Sequence, residues 1–463
     1  MEYTEDSSVL AAEQPKKLFP MKSLTVVVAF YIFFLALNYL PFATSINQGL
    51  ALLLLVAILW MTEAVHIAVT ALIIPVASIC LGILDTKSAM NSFSHPIIYL
   101  FFGGFVLAAA IHVQGIDRYL AQRLVQFAKG RLKYAFIYMF LLTAALSMWI
   151  SNIATTTIML PLALGLLKQV DTKPDRNTYV FVLLGIAFSA NIGGLGTLVG
   201  CASNMIAASI VGIDFVTWLM YGLPAVCMMM PIMIWCLYRA LKPQLDIQFQ
   251  VTKADIQPLS NHAKATLVIF MATALAWINS KALAVAFGGI AYFDSLIALI
   301  AAVVLIVTNM VRWCDVEKAT DWGVLILFGG GLTLSQVMRQ TGTSDFIGSH
   351  LATSLTQIPP LFFLILMITF VMFLTQFTSN TASATLLVPI FVTLAMAFDF
   401  SPEVIAVMVA MSTSFAFMLP VATPPNAIVY GTGYIKQSDM LRAGALINFA
   451  GLMVLIFLGQ LFM

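Results

Sequence analysis

Two long stretches without a charged side chain constrain this sequence more than any other feature. Residues 351–398 contain no Asp, Glu, Lys or Arg over 48 residues, and residues 134–167 contain none over 34 residues. Helices of this composition are stable where lipid, rather than water, surrounds them. Across the whole chain 61% of residues are hydrophobic and 9% are charged, whereas a soluble domain carries about 25% charged residues. The sequence therefore predicts an all-α polytopic membrane protein.

Apolar segments of roughly 20 residues predict about eleven transmembrane helices. Lys16, Lys17 and Lys22 precede the first segment, so the positive-inside rule places the N-terminus in the cytoplasm. An odd number of spans then places the C-terminus outside. The net charge of +2, with no basic stripe, argues against a nucleic-acid partner. The predicted spans lie near residues 24–41, 48–66, 67–85, 96–113, 179–211, 216–238, 264–280, 292–311, 321–338, 402–433 and 440–462.

A polar cluster lies in the middle of each uncharged stretch. One begins at Ser151-Asn152 and the other at Ser379-Asn380. Two half-helices that meet at a polar tip inside the membrane account for both, because irregular backbone at that depth requires surrounding protein or a watery cavity. We therefore expect two re-entrant hairpins. The alternative is simple helix–helix packing through small polar residues, but the matched spacing of the two clusters favours a functional site.

An internal repeat relates the two clusters. The Ser-Asn pairs, with the Ala, Thr and Pro that follow them, align without gaps at an offset of 228 residues. Upstream, Gly103 matches Gly330 at an offset of 227, and downstream Asn204 matches Asn426 at an offset of 222. Each unit contains five predicted spans and one hairpin, so the second unit must be inverted relative to the first. Inverted repeats with broken helices are typical of secondary transporters.

The helix breaks supply the expected chemistry. The N-terminus of a half-helix exposes unpaired N–H groups and attracts anions. Unwound carbonyls, together with Ser, Thr and Asn oxygens, coordinate Na⁺. Two further breaks, the glycine-rich run 191–200 and the proline-rich run 420–426, lie in corresponding positions of the two halves. An intramembrane enzyme is disfavoured, because the sequence contains no HExxH or GxSxG motif and no pair of acids within the apolar segments.

These motifs resemble the divalent-anion/sodium symporters, which include the bacterial INDY-type dicarboxylate carriers. The resemblance rests on Ser-Asn-x-Ala-Thr-Thr from Ser151, on Ser-Asn-Thr-Ala from Ser379, and on the run from Ser414 to Asn426. The segment Trp60-Met-Thr-Glu-Ala is also similar to an early helix of that family. The likeness covers nearly the whole chain after residue 20.

The resemblance implies Na⁺-driven symport of C4 dicarboxylates such as succinate, malate and fumarate. It also implies a homodimer in the bacterial inner membrane, in which a transport domain moves as an elevator against a scaffold. A citrate or sulfate symporter and a Na⁺-independent dicarboxylate exchanger are the alternatives. The expected organisation is a cytoplasmic segment 1–20, scaffold helices 21–126, a first transport part 127–240, a linker 241–263, scaffold helices 264–345 and a second transport part 346–463.

Site residues are likewise carried over from the resemblance. The family commonly has Thr in the position of Ile153, so a symmetric pair of carboxylate grips is not expected, and Ile153 receives no role. The expected ligands of the first sodium ion are Ser147, Ser151, Asn152 and Gly200. Those of the second are Thr375, Thr378, Asn380 and Ala422, and Ser147 and Thr375 are again 228 residues apart. The expected substrate contacts are Ser151, Asn152, Ser379, Asn380, Thr381, Thr423 and Pro424.

Overall fold

The structure is a computed structural model that describes residues 19–128, 130–168, 174–247, 258–355, 359–397 and 400–463. All the regular secondary structure in these ranges is helical, which confirms the predicted fold class. The predicted N-terminal segment 1–20 lies almost wholly outside the described residues, as does the middle of the predicted linker 241–263.

The helices of the first half are, in chain order, α1 (Phe19–Tyr39), α2 (Thr44–Thr62), α3 (Ile67–Cys80), α4 (Thr86–Asn91), α5 (Pro96–Val113), α6 (Ile116–Phe127), α7 (Leu132–Ser147), α8 (Asn152–Lys168), α9 (Arg176–Gly193), α10 (Ala202–Val211) and α11 (Phe215–Leu241). Those of the second half are α12 (Asn261–Ile278), α13 (Ser280–Ala286), α14 (Phe293–Val307), α15 (Trp313–Ala319), α16 (Trp322–Gln340), α17 (Thr343–Leu355), α18 (Pro360–Leu374), α19 (Asn380–Ala397), α20 (Pro402–Thr413), α21 (Pro424–Tyr430) and α22 (Gln437–Phe462).

Both uncharged stretches form a helix–turn–helix unit that is broken at the Ser-Asn pair. The α7 helix ends at Ser147 and α8 begins at Asn152, while α18 ends at Leu374 and α19 begins at Asn380. The polar tip therefore places the N-terminus of a half-helix at each Asn. That the two units enter and leave a membrane from the same side stays a prediction.

The two further breaks are also present. The chain leaves α9 at Gly193 and enters α10 at Ala202 after a single 3-10 turn, Leu198–Gly200. It leaves α20 at Thr413 and enters α21 at Pro424 after the 3-10 turn Pro420–Ala422. Glycine weakens the first helix by its flexibility, and proline interrupts the second because it lacks an N–H.

Within the described ranges, six helical segments are long and apolar enough to cross a membrane by themselves, or seven if the pair α15–α16, bent by 60°, is one span. Most other predicted spans coincide with shorter apolar helices such as α3 and α14, or with the broken pairs α9–α10 and α20–α21. The predicted number of about eleven spans therefore stays a prediction. The six segments are Lys22–Tyr39, Thr44–Thr62, Thr86–Val113, Phe215–Leu241, Asn261–Ile278 and Gln437–Phe462.

Repeat-matched glycines bring pairs of helices close together. A Cβ on Gly103 of α5 would lie 2.6 Å from the Cβ of Ala298 in α14. A Cβ on Gly330 of α16 would lie 2.6 Å from the Cβ of Ala71 in α3. Small residues at these crossings allow backbones to approach, as they do in many membrane helix pairs.

The two halves interlock through their broken helices. The half-helix α10 of the first half packs against α19 and α20 of the second. In return, α21 of the second half packs against α8 and α9 of the first. Each Ser-Asn helix therefore has the opposite half's short helix as a neighbour, and residues of both repeats line the region between them.

Candidate functional site

Three oxygen atoms meet where α7, α8 and α9 come together. The Ser147 hydroxyl lies 2.7 Å from Asn152 Oδ1 and 2.7 Å from the carbonyl oxygen of Ala190. Ser147 is fully buried. A hydroxyl has one proton, so it can donate to only one of these two acceptors. The arrangement therefore keeps more oxygen lone pairs than protons, which is the composition of a site for a hard cation.

The second half repeats this arrangement with a threonine. The hydroxyl of Thr375 lies 2.7 Å from Asn380 Oδ1 and 2.7 Å from the carbonyl oxygen of Thr413. Thr375 is also fully buried. We call Ser147, Asn152 and the Ala190 carbonyl the first oxygen cluster, and Thr375, Asn380 and the Thr413 carbonyl the second. None of these groups is ionisable, so any charge at the clusters must come from a ligand.

Two matched asparagines hold the backbone of the helix breaks. Asn204 donates through Nδ2 to the carbonyl oxygens of Gly194 and Thr197, both at 2.8 Å. Asn426 donates in the same way to the corresponding carbonyls, at 2.8 Å and 3.0 Å. The carbonyls at the end of a helix lack intrahelical partners, and these amides satisfy them. Side-chain hydrogen bonds therefore fix the backbone conformation of both breaks.

The first break also lies close to the first oxygen cluster. A Cβ on Gly194 would lie 2.7 Å from Asn152 Oδ1 and 3.2 Å from the carbonyl oxygen of Gly200. The Gly200 carbonyl, an expected sodium ligand, is therefore on the same side of Gly194 as Asn152. The corresponding residue of the second half is Ala416, which is buried and carries the Cβ that Gly194 lacks.

The second break has an anchor of its own, Gln376. Its Nε2 donates to the carbonyl oxygens of Met372 and Phe415, at 2.9 Å and 2.8 Å. Its Oε1 accepts from the backbone N–H of Met418 at 3.1 Å. In the first half the equivalent position is Met148, whose carbonyl oxygen accepts a hydrogen bond from the Thr197 hydroxyl.

Three half-helices begin at polar residues of the two repeats. Ser151 caps α8, since its hydroxyl oxygen accepts from the Ala154 N–H at 3.3 Å. Thr423 caps α21 by accepting from the Asn426 N–H at 3.4 Å. The third N-terminus, that of α19, begins at Asn380. The α8 and α21 helices pack together. An anion there would meet unpaired N–H groups at the start of α8, whereas α21 begins with two prolines that have no N–H and offers the Thr423 hydroxyl.

A polar bridge joins the two halves through Asn191 of α9. Asn191 Oδ1 accepts from Asn152 Nδ2 at 3.4 Å, and Asn191 Nδ2 donates to the Thr423 hydroxyl oxygen at 3.1 Å. Sequence reasoning missed Asn191, Gln376 and the two carbonyls at Ala190 and Thr413. Asn191 could have been found as a lone amide in the apolar run of α9, but carbonyl ligands carry no side-chain signal.

The remaining expected site residues differ in exposure. The Thr378 hydroxyl, an expected sodium ligand, instead contacts the Leu374 carbonyl oxygen at 3.1 Å and the Ser383 hydroxyl at 2.6 Å. Ile153 is 48% exposed beside the α8 N-terminus. Exposed positions are Ser151 and Pro424, half-buried positions are Asn152, Ser379, Asn380 and Thr381, and buried positions are Gly200, Ala422 and Thr423.

Comparison with known proteins relates the chain to membrane transporters. The family model described as citrate transporter matches residues 57–412, well over half of the chain. A relative from Haemophilus influenzae, named an uncharacterized transporter, is 47% identical over 93% of this chain and 95% of its own length. The sodium-dependent dicarboxylate transporter SdcS of Staphylococcus saprophyticus is 33% identical over 88% of this chain and 84% of its own.

Two solved structures share the fold at low sequence identity. The YdaH transporter of Alcanivorax borkumensis has a TM-score of 0.55 and 14% identity, over 81% of this chain and 87% of its own. The MtrF transporter of Neisseria gonorrhoeae has a TM-score of 0.54 and 13% identity, over 93% of this chain and 97% of its own. At these identities the likeness concerns the fold alone.

Proposed function

We propose that this chain, which belongs to the citrate transporter family of divalent-anion/sodium symporters, carries C4 dicarboxylates by Na⁺-coupled symport. It is an integral membrane transporter rather than an enzyme. The observation that carries this proposal is the pair of oxygen clusters. Each consists of a buried hydroxyl, an Asn Oδ1 and a main-chain carbonyl with the same 2.7 Å spacings. SdcS relatives named for sodium-dependent dicarboxylate transport add support.

In this proposal each oxygen cluster binds one sodium ion. The carbonyl oxygens of Gly200 and Ala422 complete the two sites, together with Ser151 in the first and Thr378 in the second. Thr378 must turn its hydroxyl from Leu374 and Ser383 to do so. Because both clusters are neutral, two sodium ions would offset the two charges of a dicarboxylate, and a bound anion would in turn stabilise the cations.

The substrate is proposed to bind between the half-helix N-termini. Thr423 and Pro424 of α21 would contact one carboxylate together with Ser151 and Asn152 of α8. Ser379, Asn380 and Thr381 at the start of α19 would contact the other. The carboxylate site at the start of α8 has only a backbone N–H at Ile153. The matching position at the start of α19, Thr381, also offers a hydroxyl. The two carboxylates are therefore held unequally.

The wider mechanism follows the same family pattern. Residues 127–240 and 346–463 would form the transport domain, and residues 21–126 and 264–345 the scaffold of a homodimer. The transport domain would move as an elevator in a bacterial plasma membrane, with the N-terminus in the cytoplasm. Apolar side chains on α12 and α14, such as Val268 (68% exposed) and Val307 (73% exposed), suit a cover of lipid or of a second copy.

Citrate is the second candidate substrate, because the matching family is described as citrate transporter and the α8 grip lacks a hydroxyl at Ile153. Proteoliposomes with an inward sodium gradient, given labelled succinate, citrate or sulfate, separate these possibilities. We expect saturable succinate uptake that stops when choline replaces sodium. Sodium-driven uptake of citrate or sulfate but not of succinate would contradict C4 dicarboxylates as the substrate class. Succinate uptake that is unchanged without sodium would contradict symport and favour an exchanger.

A further inference from the structure

The Asn191 side chain links the first oxygen cluster to the opposite repeat through two amide hydrogen bonds. Its side chain is 1% exposed. Its Oδ1 faces Asn152 Nδ2 at 3.4 Å and its Nδ2 faces the Thr423 hydroxyl oxygen at 3.1 Å. Both polar ends of the Asn191 amide are therefore used, one toward each half of the molecule.

At the Asn152 end, the bridge responds to what binds the first cluster. Asn152 presents Oδ1 to Ser147 at 2.7 Å and Nδ2 to Asn191. A cation that draws on Asn152 Oδ1 polarises the amide, which makes its Nδ2 a stronger donor to Asn191. Hydrogen bonds in series strengthen one another in this way when they are buried. The 3.4 Å contact is long, so it has room to shorten.

At the Thr423 end, the bridge fixes the direction of a hydroxyl proton. Thr423 Oγ1 accepts from Asn191 Nδ2 at 3.1 Å and from the Asn426 N–H at 3.4 Å. A hydroxyl has two lone pairs and one proton. With both lone pairs engaged, the proton of Thr423 remains for a ligand at the N-terminus of α21, where a carboxylate would accept it.

The repeat-related position makes a much weaker link. Ser414 follows the cluster carbonyl of Thr413 as Asn191 follows that of Ala190. Cys201 corresponds to Thr423, and the Ser414 hydroxyl lies 3.9 Å from the Cys201 sulfur. A thiol is a weak donor and a weak acceptor. The structure therefore connects the first oxygen cluster to α21 more strongly than it connects the second cluster to α10.

We propose that Asn191 is a positioning residue that couples cation binding at the first oxygen cluster to anion binding at Thr423. This inference rests on the proposed function, because it assumes that the cluster binds sodium and that Thr423 binds a substrate carboxylate. Sodium at Asn152 would tighten the Asn191 bridge, and the bridge would hold the Thr423 proton toward the anion. Sodium would thereby raise the affinity for the dicarboxylate through a defined chain of hydrogen bonds.

The test measures succinate binding to the purified full-length protein at low and at high sodium, with choline keeping the ionic strength constant. Coupling between two sites typically changes affinity by about 5- to 150-fold, and we expect a sodium-linked gain of this order in the wild type. In Asn191→Ala the gain should fall by roughly fivefold to tenfold, as expected when the two buried hydrogen bonds of Asn191 leave the coupling chain. Ser414→Ala, the repeat-matched control, should keep the gain.

Two further variants protect the test against a folding defect at Asn191. Thr423→Val keeps the shape of the side chain and removes both the acceptor for Asn191 and the proton for the carboxylate, so it should bind succinate more weakly at every sodium concentration and lose the sodium-linked gain. Thr423→Ser should keep both. The double variant Asn191→Ala/Thr423→Val should lose no more of the sodium-linked gain than Thr423→Val alone, because both changes break the same bridge.

The outcomes separate the inference from the function on which it rests. A wild-type protein that binds succinate equally at both sodium concentrations would refute the symport proposal. A sodium-linked gain that survives in Asn191→Ala or in Thr423→Val would overturn the coupling role while leaving symport intact. Loss of succinate binding at every sodium concentration in Asn191→Ala would also overturn it, because a positioning residue should weaken only the sodium-linked part.

Discussion

The two oxygen clusters are alike at their centres and different at their edges. In both, a buried hydroxyl lies 2.7 Å from an Asn Oδ1 and 2.7 Å from a main-chain carbonyl. Around the first cluster the contacts are Gly194 and the Asn191 bridge. In the second half Ala416 takes the place of Gly194, and Gln376 holds the helix break through the Phe415 carbonyl. The repeated part is what two like cations would need, and the divergent part is where the two sites can differ in strength and coupling.

The largest expected effect comes from removing the shared amide. Asn152→Ala and Asn380→Ala should each reduce sodium-driven succinate uptake to the level of empty liposomes, because each loses a proposed cation ligand and a proposed substrate contact. Uptake is measured in proteoliposomes that contain equal amounts of folded protein, judged by a monodisperse elution profile. Wild-type uptake by both variants would place the transport site elsewhere in the molecule.

A smaller effect should follow from adding a methyl group beside one cluster only. In Gly194→Ala the new Cβ would lie 2.7 Å from Asn152 Oδ1, so the amide must shift from its position near Ser147. The sodium concentration for half-maximal uptake should rise about tenfold, the usual size of such disturbances around a bound metal. The reverse change in the second half, Ala416→Gly, is the matched control and should leave this concentration within twofold or so. Equal effects of both changes would refute the asymmetry between the clusters.

Gln376 tests whether the second break needs its own anchor. Gln376→Met copies the first half, where Met148 occupies the equivalent position. The variant loses the bonds to the Phe415 carbonyl and the Met418 N–H, and a buried polar group without a partner costs about 1–3 kcal/mol. The melting temperature in detergent should therefore fall. Met148→Leu, which leaves the Met148 carbonyl in place, should melt close to the wild type, and a Gln376→Met variant that does the same would contradict this role.

The smallest effect is expected at Ile153, the position where the two Ser-Asn motifs differ. Ile153→Thr should alter succinate uptake by no more than a few fold, because the backbone at this position is unchanged and one added neutral hydrogen bond contributes about 1 kcal/mol. Competition by unlabelled citrate and sulfate measures any change in preference. A switch of substrate class in this variant would show that the α8 grip, rather than the α19 grip, sets specificity.

Much of this architecture could be predicted from the sequence because specific residue types mark the repeat. The Ser-Asn pairs, the glycine and proline breaks and the absence of charges gave the helix–turn–helix units and the broken helices at the residues where the structure has them. The hydropathy of a single span was less informative. Helices such as α3, α14 and α16 are short or bent, since neighbouring helices rather than length alone bury them.

The finer parts of the site could not be predicted, for physical reasons. The carbonyl oxygens of Ala190 and Thr413 belong to the backbone, so no residue type marks them. Asn191 bonds to Thr423, which is 232 residues away in the chain, and such a contact depends on how the halves interlock. The same holds for Gln376, which has no polar counterpart in the first half.

The central claim is that each oxygen cluster carries one sodium ion with every dicarboxylate. The most direct measurement is the ratio of labelled sodium to labelled succinate that enters proteoliposomes in the same initial-rate experiment. The two matched clusters predict at least two sodium ions for each succinate. A ratio below two would contradict a sodium ion in each cluster, and a ratio of zero, with succinate entering as fast in choline as in sodium, would contradict symport itself.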